Sequence, residues 1–577
     1  MDQRLREAIA AALPPEAAGA DPQVRKSEHA DFQVDGILPL AKPLRSNPRA
    51  IATQVAEALP ADELIAVREV SGPGFINLTV TDGAIWRQVV DRLADDRRGV
   101  PADQAGNTTV IDYSQPNIAK EMHVGHLRST IIGDALARTL GFLGSEVIRQ
   151  NHLGDWGTQF GMLIQYLFEH PEDRHADAEE SGATAMSRLN TLYRTARSHF
   201  DGDAEFADRA RRRVVELQAG DADTLAVWQE LVDESKIYFN EVYGRLDVLL
   251  TDSDAVGESF YNTHLHEVAE DLERRGVAVR SDGALCVFFD DVKGPDGNPV
   301  PLIVQKSDGG FGYAATDLAA IRYRVSQLGA DRILYVVDSR QALHFKMVFE
   351  TARRAGYLTD DVQAVHVSFG SVLGPDGKPF KTRSGDTVQL ISLLNAAVDR
   401  ARATIAEKNE GIDEVLLDER AREVGIGAVK YADLSTSRGR DYIFDIERMV
   451  SLQGNTGVYL QYANARIRSI LRKAPADAAS PKVDESVPLE PAERRLALQL
   501  DEIGTVLGTV AETFEPHRLA SYVYAVAQAF TEFYEACPVL RAPNDAIRDN
   551  RLALCLLTSQ TLELGLDLLG VSTPDQL

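Results

Sequence analysis

Asp112-Tyr113-Ser114-Gln115-Pro116-Asn117-Ile118-Ala119-Lys120-Glu121-Met122-His123-Val124-Gly125-His126 is where the rhythm of the chain changes. Before the break, Thr109-Val110-Ile111-Asp112-Tyr113 reads as a strand. After it, apolar residues recur at helical spacing from Val124 to Leu143, and Glu146-Val147-Ile148-Arg149 reads as a second strand. Strand, helix and strand at this spacing predict a right-handed βαβ unit of a parallel sheet. Ligands dock at the strand C-termini of such sheets, and a helix N-terminus there favours phosphate. Gly125, without a Cβ, lets a nucleotide approach the backbone. His123 and His126, three apart at the helix start, project from one face toward the same phosphate. Imidazoles so placed can donate hydrogen bonds to an α-phosphate under attack by a carboxylate, each worth about 3 kcal/mol in the transition state. An isolated histidine pair is more often structural or metal-binding; the strand-loop-helix setting and the intervening glycine favour the nucleotide.

Upstream, a helix-like run (Arg49 to Leu59), a strand (Ile65 to Val70), the turn Gly72-Pro73-Gly74, a strand from Phe75 to Val80 and a helical run toward Leu93 predict a small α+β module. Its expected bounds are 1–102. Downstream, the charged stretch from Glu169 to Glu267 reads as a helical insertion, with further strands at Ile333 to Val337 and Ala364 to Phe369. From Leu390 the pattern is helical, through Val458 to Ile470, Leu496 to Val510 and Leu519 to Phe533, interrupted by a loop from Pro475 to Pro491. The expected architecture is therefore α/β: a Rossmann-like parallel-sheet domain (103–440) with a helical insertion, preceded by the N-terminal α+β domain and followed by an all-α bundle (441–577).

The 577 residues include 61 Lys plus Arg against 87 Asp plus Glu, a net charge of −26. That counts against a nucleic-acid partner, since phosphates are met by Lys and Arg. Net charge speaks to long-range attraction more than to a local site, however, and does not exclude basic strips on an acidic body. No apolar run approaches membrane-spanning length, and the N-terminus lacks the basic start and apolar core of a signal peptide. Three cysteines without a Cys-x-x-Cys pair argue against a disulfide scaffold or a cysteine zinc site and fit a reducing, cytoplasmic setting.

Three blocks within fifty residues carry a resemblance: Asp112-Tyr113-Ser114-Gln115-Pro116-Asn117, His123-Val124-Gly125-His126-Leu127-Arg128-Ser129, and His152-Leu153-Gly154-Asp155-Trp156-Gly157-Thr158-Gln159-Phe160-Gly161. Together they resemble the arginine-specific members of the class I aminoacyl-tRNA synthetases, and the likeness extends over essentially the whole chain. It implies ATP and Mg²⁺, arginine as the activated amino acid, and an arginine-accepting tRNA as acceptor. It implies no resident protein metal site, no membrane partner and a monomer. It also implies that His123, His126 and Gly125 meet ATP, with His344. The loop from Gly374 to Gly385 is similar to the family's mobile cationic lid, with Phe380-Lys381-Thr382-Arg383 in register. Lys381 and Arg383 then meet the pyrophosphate end. Arg383 stands where the family's final lysine is usual, and Lys120 is the compensating cation.

A guanidinium is planar and always charged, so a selective pocket needs a carboxylate fork and polar neighbours. Tyr313 and Asp317, four apart, share one helix face beside small alanines. By resemblance they grip the guanidinium with Asp112, while Asn117, His123 and Gln341 orient the α-amino and carboxylate groups. Phe75 and Asn77 match positions that read a base at the tRNA elbow; an ordinary strand residue is the equal alternative for Phe75. Tyr459 and Tyr462 offer stacking faces in the helical region, with Arg466, Arg468, Arg472 and Lys473 as a cationic strip, unless that strip is only a solvated helix face. The Arg209 to Arg213 cluster reads as solvated surface. The rival readings are a ligase charging a small-molecule acceptor and a non-catalytic RNA-binding paralogue. The tRNA-directed regions speak against the first, and the histidine pair and lid against the second. The resemblance further implies that tRNA must bind before arginine is activated.

Overall fold

Thr108–Asp112 (β1) is β-branched at four of five positions and buried from its second residue, which makes it the central strand of a sheet covered on both faces. His123 caps the next element, Val124–Phe142 (α1), whose buried residues lie on all sides. That is the pattern of a helix enclosed by other layers. The computed structural model describes residues 2–575 except 28, 61, 175–181, 295–296, 375, 379–387, 410 and 476–480, so Lys381 and Arg383 lie outside the described residues.

After α1 come Glu146–Leu153 (β2), Ala255–Gly257 (β3), the helix Tyr313–Ser326 (α2), Arg332–Tyr335 (β4), the helix Ala342–Arg354 (α3) and Gln363–His366 (β5). The sheet order is β5-β4-β1-β2-β3, and every pair is parallel. The chain leaves β1 toward one edge and returns on the other side to β4. The switch point therefore falls between β1 and β4, where open α/β sheets bind ligands. A core of Val110, Leu318, Ile333, Val348 and their neighbours fills one face. The insertion consists of Gly182–Gly202, Ala204–Ala219 and Ala222–Leu246. Within it Arg209 pairs with Glu169 and Arg211 with Asp208, while Arg213 lies 4.1 Å over the Phe168 ring.

Two features depart from the sequence-based expectation. An antiparallel sheet of Val279–Ser281, Ala284–Val287 and Leu302–Gln305 follows the insertion; strands of three and four residues are too short to show a period of two. The helical run from Leu496 to Val510 is two helices, Pro491–Leu500 and Ile503–Thr513. At the break Arg92 donates to both the carbonyl and the carboxylate of Asp501.

The contacts divide the chain into two units. One comprises residues 101–465, 505–523 and 563–577; the other comprises 1–100, 466–504 and 524–562. In the second, strands Val24–Lys26, Phe32–Val34, Phe75–Val80 and Ile65–Ser71 form an antiparallel sheet in that order. Leu5 and Ile9 from one helix and Ile51 and Val55 from another cover one face of it, over Val34, Ile76 and Leu78. No helix among the described residues is long and apolar enough to cross a membrane.

Candidate active site

The loop between β1 and α1 is bent by three non-glycine residues at positive φ: Ser114 (76°), Gln115 (53°) and Ala119 (58°). Each costs roughly 1–3 kcal/mol and persists only where neighbours over-determine it. Here they do. The Ser114 amide donates to Ser129 Oγ at 2.9 Å, the Gln115 amide to Asn151 Oδ1 at 3.0 Å, and the Ala119 amide to Ser235 Oγ at 2.9 Å.

At the end of the loop two imidazoles cap α1. His123 Nδ1 accepts from the Gly125 amide at 3.0 Å, and His126 Nδ1 accepts from the His123 amide at 3.0 Å. Their ring centroids are 4.0 Å apart. An Nδ1 that accepts from an amide must be unprotonated, so each neutral ring carries its proton on Nε2 as a donor. Burial lowers both pKa values, that of His126 to about 3, with Arg340 and Lys120 adding to the effect on His123. A Cβ on Gly125 would lie 2.8 Å from His123 Cε1, so the glycine first makes room for the capping ring.

Beside this corner, at the switch point, lies a cavity of about 280 Å³ whose walls include Asp112, Asn117, His152, Glu258, Tyr313, Asp317, Gln341 and His344. The five residues assigned from sequence to arginine alone (Asp112, Asn117, Tyr313, Asp317 and Gln341) meet on this one cavity. Tyr313, at the start of α2, is 73% exposed and forms the rim. Asp317 Oδ2 lies 2.6 Å from His344 Nε2, which joins His344, expected at ATP, to the carboxylate expected at arginine. Asp112 is buried, and both its oxygens are engaged: Arg324 Nη2 donates at 2.7 Å to one and Gln115 Nε2 at 2.7 Å to the other. It therefore shapes the floor of the cavity rather than presenting a free carboxylate.

Glu258 is the residue the sequence did not disclose. It has no hydrogen-bond or ion-pair partner among the described residues. Burial, then Asp155, then Asp317 push its carboxyl up to about 8. Its position is set by flanking residues clamped on Asp155. The Ser259 amide and hydroxyl donate to that carboxylate at 2.9 and 2.6 Å, and a Cβ on Gly257 would strike it. The only sequence cue was an acid following the three-residue strand Ala255–Gly257, itself too short to recognise. A second cavity of about 490 Å³ shares Glu258, Tyr313 and Thr316 and adds Trp156, His266, Phe311 and Lys306 to its walls.

Lys120 Nζ lies 4.8 Å from the Tyr193 ring centroid and close enough to His123 to lower its pKa. Val388–Leu390, next in sequence after the undescribed 379–387, pairs with the histidine segment: Val124 N donates to Val388 O at 3.3 Å and Leu390 N to Met122 O at 2.9 Å.

Elsewhere, Phe75 and Asn77 alternate with core residues Ile76 and Leu78 and so occupy the sheet face opposite the helices. Asn77 Nδ2 donates to Ser71 Oγ at 3.1 Å, while its Oδ1 is buried without a partner among the described residues. Tyr462 is 46% exposed and Tyr459 half-buried on Gly457–Arg472. Arg466 of the cationic strip stacks 4.2 Å from the Tyr534 ring centroid.

Three family descriptions match the chain: "tRNA synthetases class I (R), catalytic domain" over residues 88–446, "DALR anticodon binding domain" over 460–577 and "Arginyl tRNA synthetase N terminal domain" over 1–80. The chain is 62% identical over 566 residues to an arginine–tRNA ligase of Frankia casuarinae, covering 98% of this chain and 96% of that one. It is 60% identical to that of Streptomyces avermitilis, covering 100% and 98%. Among solved structures it is similar to the arginyl-tRNA synthetases of Plasmodium falciparum (29% identity, TM-score 0.81, 100% and 98% covered) and Thermus thermophilus (26%, 0.82, 100% of both). With the parallel sheet, the histidine-capped helix and the carboxylate-lined cavity in hand, these likenesses over its full length establish that the chain belongs to the class I arginyl-tRNA synthetase family.

Proposed function

We propose that the cavity between Asp317 and Glu258 receives the guanidinium of arginine, and that His123 and His126 act on the α-phosphate of ATP in the same active site. The family's reaction is the ATP-driven joining of arginine to tRNA. In it the arginine carboxylate attacks the α-phosphorus, pyrophosphate leaves, and the arginyl-adenylate then gives its acyl group to a terminal-ribose 2′-hydroxyl of the tRNA, releasing AMP. No covalent enzyme intermediate is required; positioning and charge stabilisation carry the chemistry. One observation supports the substrate above all others: Glu258 is a half-buried carboxyl without a cation, beside Asp317 and under the Tyr313 rim. A guanidinium there gains two carboxylates and restores the ionised form of Glu258. Asn117 and Gln341 orient the α-amino and carboxylate ends, while Asp112 and His344 hold the cavity wall.

Two neutral imidazoles with their Nε2–H groups as the free donors suit an oxyanion whose charge rearranges in the transition state. Lys120, Lys381 and Arg383 meet the departing pyrophosphate. Mg²⁺ would enter with ATP as a companion of its phosphates, whose charge it would neutralise. The adjoining cavity, with Trp156, Phe311 and Lys306, has the stacking faces and charge to admit the 3′ end of tRNA. Phe75 and Asn77 in the N-terminal part (1–102), and Tyr459 and Tyr462 in the C-terminal part (441–577), contact tRNA, while the catalytic part (103–440) carries the chemistry. The enzyme works as a cytoplasmic monomer; its three cysteines are buried and free, which suits a reducing compartment.

Arginine-dependent ATP–pyrophosphate exchange tests the reading. Exchange that requires tRNA supports it together with coupling between tRNA binding and activation. Exchange without tRNA points to a ligase for another acceptor, and none under either condition removes the catalytic assignment.

A further inference from the structure

The inserted helices brace the loop before α1 at several successive points. Tyr243 Oη lies 2.7 Å from Ser114 Oγ, Ser235 Oγ accepts from the Ala119 amide, and Tyr193 lies under the Lys120 ammonium. Next along the loop, Asn190 Nδ2 donates to Glu121 Oε2 at 2.9 Å. The same oxygen accepts from Gln389 Nε2 at 2.6 Å. Gln389 stands in the short segment whose backbone pairs with Met122 and Val124 on either side of His123. One carboxylate oxygen thus ties together three pieces of chain distant in sequence: the inserted helix Gly182–Gly202, the segment Val388–Leu390 and the base of the histidine cap. Glu121 does not line the arginine cavity, and nothing in the chemistry proposed above uses it.

We propose that Glu121 is a positioning residue for the adenylation step: by holding Asn190 and Gln389 on one oxygen it fixes the backbone that aims His123 and His126 at ATP. This rests on the reading of the histidine corner as the ATP site. What Glu121 supplies to Asn190 and Gln389 is an acceptor, because both are neutral amides; Arg194 bears on the carboxylate only through its charge. Glutamine, which keeps an acceptor oxygen at the same reach, serves in its place; alanine does not.

The test is steady-state ATP–pyrophosphate exchange by the full chain at saturating tRNA, varying ATP and arginine separately. Glu121→Ala and Gln389→Ala each raise KM for ATP by about ten-fold and leave KM for arginine within about two-fold. The double variant is no worse than either single one, since both remove the same link. Glu121→Gln stays close to wild type. A Glu121→Ala enzyme with unchanged constants, an equal rise in KM for arginine, or additive effects in the double variant overturns the proposal. So does a Glu121→Gln enzyme as impaired as the alanine variant. Should Glu121→Ala fail to fold, Gln389→Ala and Asn190→Ala carry the same comparison. A wild-type chain without arginine-dependent exchange strikes down the ATP-site reading itself, an outcome visible before any variant is made.

Discussion

Each imidazole at the start of α1 accepts a backbone amide on Nδ1, which stabilises the helix end and at the same time dictates where the ring proton sits. The two roles of His123 separate in one variant. Asparagine is among the best N-caps, so His123→Asn preserves the melting temperature while removing the Nε2–H donor and lowering kcat about 100-fold. A matching loss of thermal stability would show that the ring acts mainly as a cap. Glu258 makes a second prediction, whose sign follows from linkage. Its carboxyl titrates near 8 in the folded chain but near the usual carboxylate value when unfolded. The folded state therefore holds the extra proton between these values, and this group's contribution to stability is greatest below the lower one and falls as pH rises toward 8. Glu258→Gln accordingly melts higher than wild type, by a margin that widens from about pH 5 to about pH 8, while losing arginine-dependent exchange. Thermal scans across that range, without arginine, check the first half; a margin independent of pH refutes the cause. The histidine pair was legible because its spacing and setting are local. Glu258 was not, because its meaning lies in Asp155 and Asp317, which only the folded chain brings beside it.

Among the elements, the inserted helices are more than a decoration on the sheet. Tyr243 Oη receives a hydrogen bond from Asn151 Nδ2 at 2.9 Å and lies 2.7 Å from Ser114 Oγ, the residue whose φ is most strained. Tyr243→Phe leaves these buried polar groups short of a partner. We expect a loss of about 1–3 kcal/mol in denaturant unfolding and a lower kcat, with KM for tRNA unchanged. Equal stability of the variant would mean that the strained turn is held elsewhere. Helices were the more readable elements: the run expected from Val124 to Leu143 is α1 to within a residue. β4 and β5 were placed but drawn too long: beyond Tyr335 only the Val336 amide still reaches β1, donating to Asp112 O at 2.9 Å, and Val337 already lines the cavity. The three-stranded sheet after the insertion escaped because strands of three or four residues bear too little alternation, although Asp282-Gly283 marked its first turn.

For the whole molecule, the net charge of −26 sets a constraint on how tRNA binds. Attraction must come from a few local cations working against an acidic field, so binding should depend steeply on salt. KM for tRNA should rise by an order of magnitude or more between about 50 and 200 mM salt, while KM for arginine at saturating tRNA changes little. A flat tRNA response would assign recognition to stacking and hydrogen bonds. The parallel βαβ unit was visible from periodicity, but the pairing of β1 with β4 was not, because the intervening insertion conceals which strand returns to which. That pairing also governs how the chain comes into being. The Thr108 amide bonds to Asp331 across 223 residues of sequence, so the centre of the sheet lacks one neighbour until the far half has been synthesised. At ordinary translation rates that interval is roughly 10–45 s, during which β1 can join β2 but shows an open apolar edge on its other side. The high contact order of this strand leaves that edge open for as long as the far half takes to be made, so slowing elongation at constant temperature should shift product from native enzyme toward aggregate.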